Sequence, residues 1–66
     1  MRDPKQDPAA GDMLRKGRVT RTVEAVHINY LICHDRYRRG PGKVLTPLLG
    51  QYRRWAAGAE VVHVAD

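Results

Sequence analysis

A cluster of arginines beside glycine and proline is the feature of this sequence best suited to do chemistry. Residues 36–43 hold three arginines, a tyrosine and a lysine around Gly-Pro-Gly. Guanidinium groups bind phosphate oxygens in a bidentate manner, and an exposed tyrosine can stack on a nucleic-acid base. Arg53 and Arg54 lie in a predicted helix and extend the basic surface. The sequence therefore predicts a nucleic-acid-binding surface made of Arg36, Tyr37, Arg38, Arg39, Lys43, Arg53 and Arg54.

The same segment has a second interpretation. A charged hairpin tip that only keeps the protein dissolved has this composition too, and it carries equal weight. The Gly-x-x-x-x-Gly-Lys-Ser/Thr pattern of a nucleotide-binding loop is absent, so a bound mononucleotide is not expected.

Reactive side chains are few and poorly spaced for catalysis. Cys33 and His34 suggest a nucleophile and its base, but neighbours in a strand point to opposite faces of a sheet. A metal site needs three or four ligands at matched spacing. Possible metal ligands without that spacing are His27, Cys33, His34, Asp35 and His63. The two glutamates, Glu24 and Glu60, are not expected to form a general acid and base pair. We predict a binding protein, not an enzyme, with no catalytic residue, metal, cofactor or small-molecule substrate.

Length and charge limit the class of protein. The chain has 66 residues and a net charge of +5, which allows one small domain with a thin core. Between residues 36 and 54 there are six cations and no acid, which favours DNA, RNA or an acidic protein as the partner. One cysteine, no apolar leader and no membrane-length apolar run predict a cytoplasmic protein without membrane contact.

The elements that must position these side chains begin after a polar tail. Residues 1–10 have two prolines, four charged side chains and little apolar surface, so we predict a disordered tail followed by a single domain over 11–66. Residues 13–16 are the first apolar-bearing segment and form the first strand, which Gly17 ends with a turn. Residues 18–26 and 29–34 are rich in β-branched and apolar side chains and predict two strands of an antiparallel hairpin. In the strand over 18–26, Val19, Val23 and Ala25 share a face that Arg21 interrupts.

The join between these strands is ambiguous, because residues 27–29 lack the Asn-Gly or Asp-Gly signal of a tight turn. One long, bent strand with a bulge near residues 25–26 is the alternative. Residues 35–43 are expected to form a loop.

A helix and two short strands complete the expected fold. Val44 and Leu45 form a strand, and Thr46 and Pro47 supply the N-cap and first position of a helix that ends at Gly58. Residues 59–64 form the last strand. Five short strands hide their edges best by wrapping, so we predict a mainly β fold, a small SH3-like five-stranded barrel with one short helix before the last strand.

Several short motifs, in order, resemble a family of short uncharacterised proteins encoded by bacteriophages and prophages. They are Pro8-x-x-Gly11-Asp12-x-Leu14-Arg15-Lys16, Arg21-Thr22-Val23, Tyr52-Arg53-x-Trp55-Ala56 and Ala59-Glu60-Val61. The resemblance covers most of the chain from Pro8 onward and implies an SH3-like barrel in a bacterial cytoplasm. It implies no activity. The chain departs from the family between His27 and Asp35, where it has two histidines and a cysteine.

Two functions remain open. The first is a nucleic-acid-binding module that uses the basic loop and helix. The second is a protein-interaction module that binds a host factor or a virion protein through the barrel face and the helix, for which an exposed patch containing Trp55 or Leu49 is expected.

Overall fold

A computed structural model describes residues 2–65 and shows a mainly β fold. Five antiparallel strands form one sheet, and one short helix precedes the last strand. The elements are β1 Met13–Lys16, β2 Val19–Val26, β3 Leu31–Tyr37, β4 Lys43–Leu45, α1 Leu49–Ala57 and β5 Glu60–His63. The sheet order is β4-β3-β2-β1-β5, so the last strand returns to pair with the first. Among the described residues, no helix is long and apolar enough to cross a membrane.

The central hairpin is confirmed, and the single bent strand is not formed. β2 and β3 pair in antiparallel fashion, and the His27 N–H donates to the Tyr30 carbonyl oxygen across the turn. A bulge at Glu24 shifts the register, so Val23 lies opposite Cys33 and Ala25 lies opposite Ile32. The prediction that Ala25 shares the face of Val23 is therefore wrong, because the extra residue reverses the alternation.

β3 is longer than the sequence indicates. Its ladder with β2 continues through Asp35, Arg36 and Tyr37, which pair with Arg21, Thr20 and Val19. The prediction that the loop begins at Asp35 is therefore wrong. The charged side chains that suggested a loop are exposed to solvent, except for that of Asp35. The Asp35 carboxylate is buried against Arg21.

The helix begins at Leu49, later than Thr46 and Pro47 predict. Residues 47 and 48 stay extended because the Pro47 carbonyl accepts the Leu31 N–H and Leu48 bridges to Tyr30. The predicted end at Gly58 is confirmed. The last strand is confirmed as well, with bounds one residue shorter at each end.

The core lies between one face of the sheet and α1. Leu14, Val23, Leu31 and Cys33 from the sheet meet Tyr52 and Ala56 from the helix and Ala59 beyond it. Leu49, Trp55 and Val61 pack against this cluster from its border. The alternate strand side chains point to the other face of the sheet, which no helix covers in the described part of the chain.

Arg21 interrupts the apolar face because it forms a buried ion pair. Its guanidinium donates to both carboxylate oxygens of Asp35 at 2.7 and 2.9 Å, and its central carbon lies 4.0 Å from the centre of the Trp55 ring. The ion pair and the ring satisfy a charge that the thin core could not otherwise hold.

The sheet is not closed. β4 and β5 are its two end strands, and no pairing joins them among residues 2–65. The mainly β class is confirmed, whereas a closed barrel stays a prediction.

The N-terminal segment, expected to be a disordered tail, lies against the domain in the structure. The Arg2 guanidinium donates to Asp12, at 2.7 Å for one oxygen, and to the Ala65 carbonyl at 2.7 Å. The Tyr52 hydroxyl donates to the Pro4 carbonyl oxygen, and Pro4 is buried. Asp12 also accepts the N–H groups of Ala9 and Ala65. This clasp of Arg2, Asp12 and Ala65 joins both ends of the described chain.

Acid is expected to open the clasp. Burial would raise the pKa of Asp12, but hydrogen bonds from Arg2, Ala65 and Ala9 outweigh it, and the pKa is lowered from its ordinary value. The folded state then binds fewer protons than the unfolded state, so this contribution to stability is complete above about pH 4 and is lost as the pH falls further. Urea unfolding should therefore lose stability more steeply below about pH 4 in the wild type than in Asp12→Asn. Equal pH dependence in the two proteins would show that Asp12 does not anchor the segment.

Candidate functional site

The face of the sheet away from the helix carries a row of polar side chains. Arg15 on β1 lies opposite Thr20 on β2, and Thr20 lies opposite Arg36 on β3. Residues directly opposite in antiparallel strands share a face, so these three side chains project to the same side. Leu14 and Asp35, their neighbours in sequence, point toward the helix and are buried.

Two connections bring further arginines to the same end of the sheet. Gly17 has a φ of 62° in the β1–β2 turn, and Arg18 follows it. Arg38 and Arg39 follow β3 into a loop in which Gly40 has a φ of 88°. Positive φ values such as these suit glycine and allow both tight connections. Because Val19 pairs with Tyr37, the turn and the loop lie side by side.

These side chains line two adjoining depressions of ≈ 520 and ≈ 470 Å³. The first is lined by Met13, Arg15, Gly17, Arg18, Thr20, Arg36, Tyr37 and Arg38, and the second by Arg18, Tyr37, Arg38 and Arg39. We call the surface formed by Arg15, Arg18, Arg36, Tyr37, Arg38 and Arg39 the arginine end.

The arginine end is largely uncompensated in charge. The Arg15 guanidinium pairs with the Glu60 carboxylate at 2.8 Å, and both side chains are exposed. Arg18, Arg36, Arg38 and Arg39 have no ion-pair partner among residues 2–65. Four guanidinium groups around open depressions favour binding of a polyanion that lies across the surface.

Tyr37 is the aromatic side chain of the arginine end. It lines both depressions and is 40% exposed. A tyrosine ring held at the end of a strand between arginines can stack on a base while the arginines contact phosphates. The surface thus offers both kinds of contact that single-stranded nucleic acids use.

The structure brings together only part of the predicted set. Arg36, Tyr37, Arg38 and Arg39 meet at the arginine end. Lys43 is opposite Asp35 on β4, which puts it on the helix side of the sheet. Arg53 and Arg54 are on α1, and the Arg53 Nε donates to the Gln6 carbonyl oxygen at 2.9 Å. The sheet therefore lies between the arginine end and the helix cations.

Sequence reasoning missed Arg15, Arg18 and Thr20. A signal was present, because Gly17 indicates a turn and a tight hairpin there would place Arg15 opposite Thr20. The third member of the row, Arg36, needed the extra length of β3, which the sequence did not indicate.

The reactive side chains lie elsewhere. Cys33 is in the core, where burial raises the pKa of its thiol to about 11. His34 is on the solvent face of the sheet, with Nδ1 3.6 Å from the Glu24 carboxylate. Among residues 2–65 no three histidine, cysteine or carboxylate side chains lie close enough to hold a metal ion.

Cys33 is expected to resist alkylation until the protein unfolds. The thiolate is the reactive form, and a pKa of about 11 leaves few thiolates at about pH 8. Iodoacetamide labelling followed by mass spectrometry across a urea titration should follow the unfolding curve. Rapid labelling without urea would show that Cys33 is accessible and would weaken the assignment of the core.

Comparisons with family models, curated proteins and solved structures give no match to this chain. The arginine end is therefore the feature from which a function can be inferred.

Proposed function

We propose that this protein binds nucleic acid, DNA or RNA, through the arginine end and catalyses no reaction. The observation that supports this most is the convergence of Arg18, Arg36, Arg38 and Arg39 beside an exposed tyrosine, with no carboxylate partner among residues 2–65. Each free guanidinium group that contacts a phosphate releases a condensed counterion, which drives binding at low salt.

An extended nucleic-acid strand fits this surface better than a mononucleotide. The arginines lie on three connected pieces of the sheet end, and the depressions are open to solvent instead of enclosing a ligand. The opposite face of the sheet is occupied by α1 and the core, so the nucleic acid would lie across one side of the molecule.

The finer description of the fold is part of the same proposal. The order β4-β3-β2-β1-β5, with a helix between β4 and β5, supports an SH3-like small barrel that would close if the two end strands approached. A phage or prophage origin and a bacterial cytoplasm are proposed from the resemblance of the sequence motifs.

Binding of a host factor or a virion protein through the barrel face and the helix has less support. This partner would need an exposed apolar patch that contains Trp55 or Leu49. Both side chains instead pack against the border of the core, where they are half-buried. Trp55 is further covered by Arg21 at 4.0 Å.

Fluorescence anisotropy with a labelled single strand of about ten nucleotides, as DNA and as RNA, tests the proposal. If four phosphates are contacted, the logarithm of the affinity should fall against the logarithm of the salt concentration with a slope of about −3, or about 50-fold between 50 and 200 mM. Absence of binding at low salt, or binding without a salt slope, would contradict the proposal. Equally tight binding of a polyglutamate peptide would favour an acidic protein instead.

A further inference from the structure

A row of side chains crosses four strands of the sheet on the face away from α1, and an acid ends it. Arg15 on β1 lies opposite Thr20 on one side and Glu60 of β5 on the other, and Thr20 lies opposite Arg36. Residues directly opposite in antiparallel strands share a face. Because β5 is an end strand of the sheet, Glu60 lies at the border of the arginine end.

The chain around Glu60 fixes the direction of its side chain. Ala59 is buried in the core and Val61 packs against it, so the residue between them points to the opposite face. The Arg15 Nη2 donates to the Glu60 Oε2 at 2.8 Å, and both side chains are exposed. The pair is therefore open to solvent beside the depression that Arg15 lines.

Glu60 is also the acid that the arginine end meets. Among residues 2–65, its carboxylate is the only one in an ion pair with an arginine of that surface. The other ion pairs join Asp12, Asp35 and Glu24 to partners outside the arginine end. One of the arginines around the depressions is thus already bound to an anion, and that anion belongs to the chain itself.

The fold gains little from this contact. Exposed ion pairs add little to folding stability, because water solvates both charges and the side chains lose freedom when they pair. β5 is held in place by its pairing with β1 and by Val61 against the core. A carboxylate on Arg15 instead takes the position of a phosphate oxygen, since both anions accept the same guanidinium hydrogen bonds.

We propose that Glu60 masks Arg15 and thereby limits the affinity of the arginine end for single-stranded nucleic acid. A phosphate must displace the Glu60 carboxylate to reach Arg15. An exposed ion pair gives at most about a fivefold preference for the paired state, and one phosphate contact contributes about fivefold between 1 M and 0.1 M salt. These effects are of equal size, so Arg15 adds little net affinity while Glu60 is present. The inference rests on the proposed function, because it concerns the strength of binding at the same surface.

An affinity comparison of Glu60→Gln with the matched control Glu24→Gln tests the inference. Each variant removes one exposed glutamate charge, but Glu24 lies beside His34, roughly 13 Å along β2 from Thr20 and beyond the screening length of about 10 Å at 0.1 M salt. In anisotropy titrations with a strand of about ten nucleotides, Glu60→Gln should bind about fivefold more tightly than wild type at 0.1 M salt, with a salt slope steeper by about 0.7. Glu24→Gln should change the affinity by less than about twofold.

A double variant shows whether the gain comes from Arg15. Adding Arg15→Ala to Glu60→Gln should remove the fivefold gain and the added slope, whereas Arg15→Ala in the wild type should cost much less. Nuclear magnetic resonance gives a second readout, because the Arg15 Nε–Hε signal should move much further with added oligonucleotide in Glu60→Gln than in wild type. Urea unfolding should show nearly equal stability in all these proteins.

Three results would overturn the inference. If the wild type binds with a salt slope and Glu60→Gln binds no more tightly, Glu60 does not mask Arg15, and the proposed function stands. Equal gains in Glu60→Gln and Glu24→Gln would show that net charge alone sets the affinity. No binding at low salt by the wild type or by either variant would remove the proposed function and this inference together.

Discussion

Replacing Arg36 and Arg38 with alanine is expected to weaken binding of a single-stranded oligonucleotide about 25-fold at 0.1 M salt. With a slope of about −0.7 per phosphate on single strands, each contact adds a factor of about 5 between 1 M and 0.1 M salt. Both side chains are exposed and neither has an ion-pair partner among residues 2–65, so the fold should tolerate the change. The difference between variant and wild type should shrink as salt is added.

The matched control is Arg53→Ala/Arg54→Ala. It removes the same charge from the helix, on the other side of the sheet from the arginine end. Anisotropy titrations of both double variants should show a salt slope reduced by about 1.4 for Arg36/Arg38 and a smaller change for Arg53/Arg54. Equal losses in the two variants would mean that net charge alone governs binding, and a larger loss for the helix pair would move the site to the helix.

Replacing Asp35 with alanine is expected to destabilise the protein by about 3 to 5 kcal/mol. The change leaves the Arg21 guanidinium without its partner in a site where Arg21 is 8% and Asp35 3% exposed. A chain of this length has about 3 to 10 kcal/mol of folding stability in total. The variant should therefore be close to unfolded, which a urea midpoint measured by circular dichroism would show.

Two further variants separate the buried charge from the packing around it. Arg21→Met/Asp35→Leu removes both charges and should recover much of the lost stability. Arg15→Ala breaks the exposed pair with Glu60 and should cost less than about 1 kcal/mol. If Asp35→Ala behaved like Arg15→Ala, the Arg21–Asp35 pair would have to be solvated, and the described core would be wrong.

The elements with strong local signals could be predicted from the sequence. Gly58 ends α1 and the valines after it form β5, because a glycine stop and β-branched residues act over a few positions. The β2–β3 hairpin was also predicted, although its turn has no Asn-Gly. In the structure no residue of that turn has a positive φ. The His27 ring stacks on the Tyr30 ring across it.

Features that depend on distant partners could not be predicted. A bulge near residues 25–26 was expected only for the single bent strand, whereas the structure has a bulge at Glu24 within the hairpin, where it decides which face Ala25 occupies. The start of α1 is delayed because Pro47 and Leu48 pair with β3, which outweighs the capping tendency of Thr46. The buried role of Arg21 depends on Asp35, fourteen residues away, and on Trp55 in the helix.

The candidate site was half predictable for the same reason. Arg36, Arg38 and Arg39 are close in sequence, so their clustering could be anticipated. Arg15 and Arg18 join them only through pairing of the strands, and Arg53 and Arg54 leave the set because α1 packs on the opposite face. Proximity along the chain thus identified part of the surface, and the sheet register determined the rest.

Nuclear magnetic resonance of the arginine side chains tests the central claim most directly. Nε–Hε signals would be followed while a single-stranded oligonucleotide of about ten nucleotides is added. The account predicts that Arg18, Arg36, Arg38 and Arg39 shift together with one dissociation constant while Arg53 and Arg54 stay in place. Shifts confined to Arg53 and Arg54, shifts spread equally over all the arginines, or no shift at low salt would contradict it.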